Sequence, residues 1–195
     1  MKKNSLKETV KYTAAVLIRP FVGSGRKVVL CYHSLRADAV ANFSLQMHYL
    51  ADHYRVVRTS EILSVESADK TVVAVTFDDA FESFYEYAVP VLKAFNIPAG
   101  VFVPTGYIGQ PCSWSMPYGH PDEAERVINR EKILELSKAG IEVFSHTVTH
   151  PELTKLSNEE LSEEIAGSKQ ALGQILGSSV TVISYPHGSH DLRVV

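Results

Sequence analysis

Acidic and imidazole side chains suited to metal binding occur in two distant parts of the sequence. Asp78 and Asp79 are adjacent, and three residues separate His146 from His150. Two imidazoles and one carboxylate form a ligand set for a divalent metal that leaves coordination positions for water and substrate. The remaining carboxylate can then accept a proton from the attacking water. These residue types predict metal-assisted hydrolysis of an amide or an ester.

Each of these features also has an ordinary structural explanation. Two aspartates after a strand often cap a helix. Pairs of histidines four positions apart also occur by chance in sequences without a metal site. The residues between His146 and His150 are β-branched and Pro151 follows them, so we predict a loop here and not a helix.

For two other residues, His33 and Trp114, both a functional and a structural interpretation stay open. His33 follows the first predicted strand and either lines the site or has a structural role. Trp114, the single tryptophan, either anchors the glycine- and proline-rich segment 105–121 or stacks on a sugar ring. Three further histidines are predicted to be surface or core residues: His48, His53 and His120.

The elements that must position these side chains alternate between strands and helices. Short apolar runs rich in β-branched residues predict strands at 27–33, 71–77, 99–104, 141–145 and 180–185, with a weaker one at 54–57. Helical spacing predicts helices at 43–54, 81–95, 130–139 and 158–176. This alternation predicts an α/β fold with a parallel sheet, open or closed into a barrel. Ligands bind at the carboxyl ends of the strands in such folds. Asp78 and His146 each follow directly on a predicted strand, and His187 comes shortly after another.

Local signals mark the ends of several predicted helices. Pro90 must kink or restart the helix over 81–95. Asn129 caps the next helix, and Ser157 with Glu160 forms a capping box for the last one. Gly140 and Gly177 follow the last turns of these two helices.

The composition is that of one ordinary globular domain. The 195 residues are 45% hydrophobic and 21% charged. A formal net charge of -3 with mixed signs gives no electrostatic reason to expect a nucleic acid or an anionic membrane as partner. Cys31 and Cys112 form neither a disulfide framework nor a zinc-ribbon pattern, and both are predicted to be buried small hydrophobic residues.

Residues 1–24 are predicted to form an amphipathic helix and a linker before one domain at 25–195. Lysines precede a short apolar run that Arg19 and Pro20 end, so we predict neither a transmembrane segment nor a clear signal peptide. Apolar residues recur there at helical spacing: Leu6, Val10, Ala14, Leu17 and Ile18. Docking on the domain and attachment to a membrane surface both stay open, as does the choice between cytoplasm and cell envelope.

At these residues the sequence resembles the polysaccharide deacetylase family, also called the NodB-homology or carbohydrate esterase 4 family. Residues 76–80, TFDDA, resemble its T-F-D-D-G motif, and residues 146–150, HTVTH, resemble its H-[S/T]-x-x-H motif. Three further segments are similar to family elements: 31–34 (CYHS), 96–103 (NIPAGVFV) and 185–188 (YPHG). The ordered set extends from about residue 27 to the end of the chain.

The resemblance implies a fold, a reaction and a metal. The fold would be an irregular (β/α) barrel, and the reaction would remove acetyl groups from an N-acetylated polysaccharide or oligosaccharide. Asp78 would be the general base, and Asp79, His146 and His150 would bind one divalent metal, with zinc as the default.

The resemblance also implies supporting roles. Thr147 would brace the histidine loop by hydrogen bonding. A backbone N–H in the segment of Tyr185, Pro186 and His187 would help to hold the oxyanion of the tetrahedral intermediate.

Three departures from the family pattern affect the expected chemistry. Ala80 replaces the motif glycine, which is harmless if the backbone there does not need a positive φ. Ser184 occupies the position of an arginine that orients the base in many members. The chain ends at Val195, so the barrel is expected to be incomplete at its C-terminal end and to lack the family's general-acid histidine. His187 or His190 would then be the substitute, and an open sheet edge would favour oligomers.

Three functional hypotheses stay open. The base and the three ligands favour an active deacetylase acting on an N-acetylated glycan. The missing arginine and general acid favour a non-catalytic relative that binds metal or glycan. A two-metal hydrolase of another barrel family would need a further carboxylate or lysine ligand at a strand end, and we find no such residue in the sequence.

Overall fold

The computed structural model describes residues 26–66, 70–114, 119–120 and 122–195, so the helix predicted over 1–24 lies outside the described residues. Within them, five strands form one parallel sheet: β1 (Lys27–Tyr32), β2 (Arg55–Val56), β3 (Val72–Phe77), β4 (Ala99–Val103) and β5 (Glu142–Ser145). The α-helices that accompany them are α1 (Val40–His53), α2 (Val89–Ala94), α3 (Arg130–Lys138) and α4 (Asn158–Leu176). The predicted α/β class with a parallel sheet is confirmed. No helix of the described residues has the length and apolar content to cross a membrane.

The helix ends follow the predicted capping signals. Asn129 Oδ1 accepts a hydrogen bond from Lys132 N at 3.0 Å and begins α3. Ser157 and Glu160 exchange reciprocal bonds of 2.8 and 3.2 Å and begin α4. Gly177, with φ at 68°, ends α4 in the left-handed conformation that glycine adopts without strain.

The helix predicted over 81–95 differs from the prediction in its first half. Residues Phe84–Ala88 form a π-helical segment, and the regular helix α2 begins only at Val89. Pro90 lies in the first turn of α2, and Val89 just before it still donates its N–H to Phe84 O of the π-helical segment. The proline therefore restarts the helix, which was one of the two predicted outcomes.

The sheet has the order β1-β3-β4-β5, and β2 pairs with the first two residues of β3. Tyr32 pairs with Phe77, and Val103 with Ser145, so the strands end at one common edge. The strand predicted over 180–185 is wrong as a regular element, because that segment forms only an isolated bridge from Ile183 to Ser145.

The two faces of the sheet contribute to separate apolar clusters, as the alternation of side chains along a strand requires. Val73, Val75 and Phe77 of β3 belong to the large core that includes the helices, whereas Val72 and Ala74 lie in a small cluster on the other face.

The two cysteines have different environments, and both are free. Cys112 is buried, as predicted, but Cys31 is exposed and its predicted burial is wrong. Cys31 is exposed because β1 is an edge strand, which pairs only with β3 among the described strands. Val29 on the same strand is exposed as well, to 52%.

Candidate active site

Three buried side chains converge at the carboxyl edge of the sheet. Asp79 follows β3, and His146 and His150 follow β5. Asp79 Oδ1 lies 3.6 Å from His146 Nε2 and 3.3 Å from His150 Nε2. No side chain of the three is more than 7% exposed. The structure therefore brings together the three residues that the sequence analysis named as metal ligands.

The backbone after β3 has an unusual conformation. Asp79 has φ at 67° and Ala80 has φ at 50°. A left-handed conformation costs a residue with a Cβ atom about 1–2 kcal/mol. The condition under which Ala80 would replace the motif glycine at little cost is therefore not met, because this position has a positive φ.

The orientation of His146 is fixed by a backbone carbonyl. His146 Nδ1 lies 2.9 Å from Ser184 O, and a carbonyl can only accept, so Nδ1 is the donor. A neutral imidazole with its proton on Nδ1 presents a lone pair at Nε2, which is the atom that faces Asp79.

The segment that carries His150 is a loop, as predicted, and neighbouring groups fix its shape. Thr147 has φ at 68° and His150 has φ at 59°. Thr147 is fully buried, and its Oγ1 accepts a hydrogen bond from His150 N at 3.1 Å. Gly106 N donates to Val148 O at 2.8 Å, and a Cβ on Gly106 would come within 2.8 Å of the same oxygen. Only glycine allows so close an approach at that position.

Glu164 of α4 is a supporting residue that the sequence analysis did not identify. Its Oε2 accepts hydrogen bonds from Val148 N and Thr149 N, both at 2.8 Å. Its Oε1 accepts a third from Thr149 Oγ1 at 2.5 Å. The helix thus holds both central amides of the histidine loop through one carboxylate.

Asp78 lies beside this cluster and is half-buried. Ser184 Oγ donates to Asp78 Oδ2 at 3.3 Å. Ser184 therefore contacts both the carboxylate of Asp78 and the ring of His146. Ser184, which stands where many family members carry an arginine, thus contacts the acid through its own hydroxyl.

A second group of side chains that could bind a metal includes Asp78. Cys31, His33 and Asp78 each offer a ligand atom, and the three atoms lie within 4.8 Å of one another. Partial desolvation, together with the Asp78 carboxylate, raises the pKa of the Cys31 thiol to about 12.

Burial and neighbouring charges shift the pKa values of two residues in the buried cluster, Asp79 and His146. Desolvation opposes ionisation of Asp79, yet the imidazoles of His150 and His146 hold the pKa of Asp79 below its usual value. Burial lowers the pKa of His146, which favours its neutral form. Asp79 Oδ1 and His150 Nδ1 are buried without a hydrogen-bond partner.

A divalent cation fits this set of atoms. The lone pair on His146 Nε2 faces a carboxylate oxygen that has no donor, and such an arrangement is unfavourable until a positive charge lies between the two. Two imidazole nitrogens and one carboxylate oxygen are common ligands of zinc and related ions.

Residues 66–195 match the model of a known family, described as polysaccharide deacetylase. The match covers about two thirds of the 195 residues. The chain belongs to this family.

Relatives of known name agree with this assignment. YxkH of Bacillus subtilis, named as a polysaccharide deacetylase, is 29% identical over 173 residues, covering 84% of this chain and 57% of that protein. The poly-beta-1,6-N-acetyl-D-glucosamine N-deacetylase of Staphylococcus aureus is 26% identical over 162 residues, covering 76% and 52%. The chain thus spans about half the length of these curated relatives.

Two solved structures share the fold. IcaB from Ammonifex degensii superposes with a TM-score of 0.73 at 26% identity, covering 88% of this chain and 78% of that one. The Streptococcus pyogenes deacetylase PplD in complex with acetate gives a TM-score of 0.71 at 25% identity, with the same coverage.

In this member of the polysaccharide deacetylase family, a cavity of about 370 Å³ opens onto the buried cluster. Trp114, His33, Tyr185 and His187 line it. Trp114 lies near-parallel to the His150 ring at 4.7 Å between centroids and contacts Tyr107 edge-on at 4.9 Å. These contacts favour the interpretation of Trp114 as an anchor, although it also forms part of the cavity wall.

The segment after Tyr185 turns beside His150. Pro186 is buried, and His187 has φ at 58° with its ring centroid 4.7 Å from that of His150. His190, the other histidine considered as a general acid, stacks on Tyr185, and Gly188 O holds its Nδ1 at 2.8 Å.

Two cavity residues were missed by reasoning from strand ends. Asp122 is buried, lines the cavity and accepts a hydrogen bond from Ser34 Oγ. His120, which we predicted to be a surface or core residue, also lines the cavity, with Nδ1 3.8 Å from Asp122 Oδ2. Both lie in a long loop, where no strand or helix pattern places them.

Proposed function

We propose that this chain is a metal-dependent N-deacetylase that removes acetyl groups from an N-acetylated polysaccharide or oligosaccharide. One observation carries the proposal: a buried Asp79 oxygen without a hydrogen-bond donor faces the Nε2 atoms of two imidazoles. Membership of the polysaccharide deacetylase family supports the reaction class.

The metal ligands in this proposal are Asp79, His146 and His150, and zinc is the proposed ion. When bound, a divalent metal lowers the pKa of water and polarises the substrate carbonyl. The chain contributes a site prepared in advance, because Ser184 O sets the His146 tautomer and Thr147 Oγ1 holds the backbone of His150.

Asp78 is the proposed general base. It is the carboxylate beside Asp79 that remains free of the buried cluster, and it lines the cavity. Its Oδ2 accepts from Ser184 Oγ, which leaves Oδ1 to take the proton of the attacking water. Ser184 is in this way the proposed positioning residue in place of the family's arginine.

The other two steps of amide cleavage are assigned to the segment at Tyr185. We propose that a backbone N–H of this segment stabilises the oxyanion, since Tyr185 and His187 line the cavity. The departing amine needs a proton, and His187 is better placed than His190 to donate it. Pro186, buried beneath them, fixes the course of the chain.

The proposed substrate class is a polymer containing N-acetylglucosamine. The Staphylococcus aureus relative is named for poly-beta-1,6-N-acetyl-D-glucosamine. A cavity of about 370 Å³ is large enough for one sugar ring with its acetamido group, and it is open to solvent on the side of the exposed His187.

The direct test is release of acetate from N-acetylglucosamine oligomers, with zinc supplied in one sample and removed by a chelator in another. We expect release that requires the metal and that Asp79→Asn abolishes. Zinc and oligomer binding without acetate release would select the non-catalytic relative, and the absence of zinc binding would contradict the proposal altogether.

A further inference from the structure

We propose that Cys31, His33 and Asp78 form a second cation site, specific for thiophilic divalent ions, whose occupation inhibits the deacetylase. The inhibition rests on the function proposed above, since it depends on Asp78 being the base. The binding of the ion itself does not.

The fold brings the three ligands together from two neighbouring strands. Cys31 pairs with Thr76 in the β1–β3 ladder, two positions before Asp78. His33 comes directly after β1, as Asp78 comes directly after β3. The parallel pairing therefore places the thiol, the imidazole and the carboxylate at one edge, with ligand atoms within 4.8 Å of one another.

The chemistry of this set differs from that of the buried cluster. A thiolate, an imidazole and a carboxylate suit Zn²⁺ and, because of the sulfur, Cd²⁺ even better. As the sulfur–metal bond forms, the Cys31 thiol gives its proton to solvent. Asp78 and Asp79 both place negative charge near the sulfur, which disfavours a free thiolate and favours a cation there.

Accessibility sets the order in which the two sites fill. Cys31 and His33 are exposed and Asp78 is half-buried, whereas Asp79, His146 and His150 are all buried. Exposed ligands remain hydrated and mobile, so the second site binds more weakly and fills only when the metal is in excess.

Occupation of the second site removes the base. A carboxylate that coordinates a cation no longer accepts a proton at neutral pH, so Asp78 cannot activate water. Loss of a general base costs about 10²–10⁴-fold in rate, so saturating the second site should reduce acetate release at least about a hundredfold. The thiol thus makes this deacetylase sensitive to excess zinc or cadmium, and Cys31→Ser removes that sensitivity.

A titration of the full chain with Cd²⁺ tests the site without relying on turnover. Equilibrium dialysis counts the bound ions, and the ultraviolet charge-transfer band of a cadmium–thiolate bond reports sulfur ligation. We expect two ions per chain, with the band rising during the second equivalent. Cys31→Ser should lose the band and the second ion, and the matched variant Cys112→Ser should keep both.

Two further measurements separate this proposal from the proposed function. Asp79→Asn should lose the first ion and keep the thiolate band. The band therefore still reports on the second site if the proposed catalytic metal site fails. Acetate release should fall with excess Zn²⁺ in the unmodified chain and stay level in Cys31→Ser. A single bound ion, a band that survives Cys31→Ser, or equal inhibition of both chains would overturn the inference.

Discussion

Two carboxylates are buried at opposite ends of the same sheet, and the protein satisfies them differently. Glu142 begins β5, and its Oε2 accepts hydrogen bonds from Thr59 N at 2.7 Å and Ser60 N at 3.4 Å. Its Oε1 accepts from Ser60 Oγ at 2.5 Å and from Arg58 Nε at 3.3 Å. Asp79 follows β3 at the other end, and its Oδ1 has no hydrogen-bond partner.

The backbone shows the same contrast. Of the six non-glycine residues with positive φ in the described part of the chain, five lie at the carboxyl edge: Asp79, Ala80, Thr147, His150 and His187. Strained backbone and unpaired polar atoms persist where the surrounding structure enforces them, and they cluster at functional sites. Glu142 therefore has the contacts of a structural carboxylate, whereas Asp79 Oδ1 receives no hydrogen bond from the described residues.

The largest expected effect is on turnover at the carboxyl edge. Asp78→Asn should lower kcat about 10²–10⁴-fold, because an amide cannot accept the proton of the attacking water. Zinc binding to the buried cluster should be retained. Steady-state acetate release measures the loss, with Asp38→Asn on the exposed Arg36 pair as the control. A kcat within a factor of two of the parent would remove Asp78 from the mechanism.

The next largest effect is on stability at the amino edge. Glu142→Gln replaces one acceptor oxygen by an amino group that faces existing donors, so the free energy of unfolding should fall by about 3 kcal/mol. Acetate release per folded molecule should not change. Urea denaturation gives the first quantity, and Glu163→Gln on the exposed side of α4 is the matched control. A loss of activity in the folded variant would contradict the assignment of Glu142 to a purely structural role.

A smaller effect is expected at Ser184, which supports the proposed base, Asp78. Ser184→Ala removes the hydroxyl that donates to Asp78 but keeps the carbonyl that holds His146. Loss of such a supporting contact typically costs 10–100-fold, and we expect about tenfold in kcat with unchanged zinc affinity. A fall in zinc affinity without a change in kcat would show that Ser184 acts on the metal ligands instead.

The smallest expected effect concerns strain. Ala80→Gly should raise the free energy of unfolding by about 0.5–1 kcal/mol, because relief of a left-handed Ala outweighs the added entropy of glycine. Ala88→Gly, at a position with φ of -82°, is the control and should be destabilising. Thermal denaturation compares the two, and a destabilised Ala80→Gly protein would contradict the strain argument.

Much of the fold follows from local sequence, because strand and helix signals agree with the tertiary structure. The β-branched run over 71–77 became β3, and the capping box at Ser157 gave α4 the bounds that were predicted. The π-helical segment before Pro90 was not predicted, since sequence periodicity does not say how a chain accommodates a missing N–H.

The candidate site was predictable only in part. Strand ends bring Asp79 and His146 together because parallel strands share a carboxyl edge. The contacts of Ser184 and Glu164 depend on how distant segments pack, and no spacing along the chain encodes them. The exposure of Cys31 likewise depends on which strands lie beside β1.

The most direct test of the account is an anomalous difference map, recorded at the zinc absorption edge, from a crystal grown with one equivalent of zinc. The strongest peak should lie about 2.0–2.2 Å from Asp79 Oδ1, His146 Nε2 and His150 Nε2, and it should disappear in Asp79→Asn. A folded protein whose zinc peaks all lie away from these three atoms would contradict the central claim.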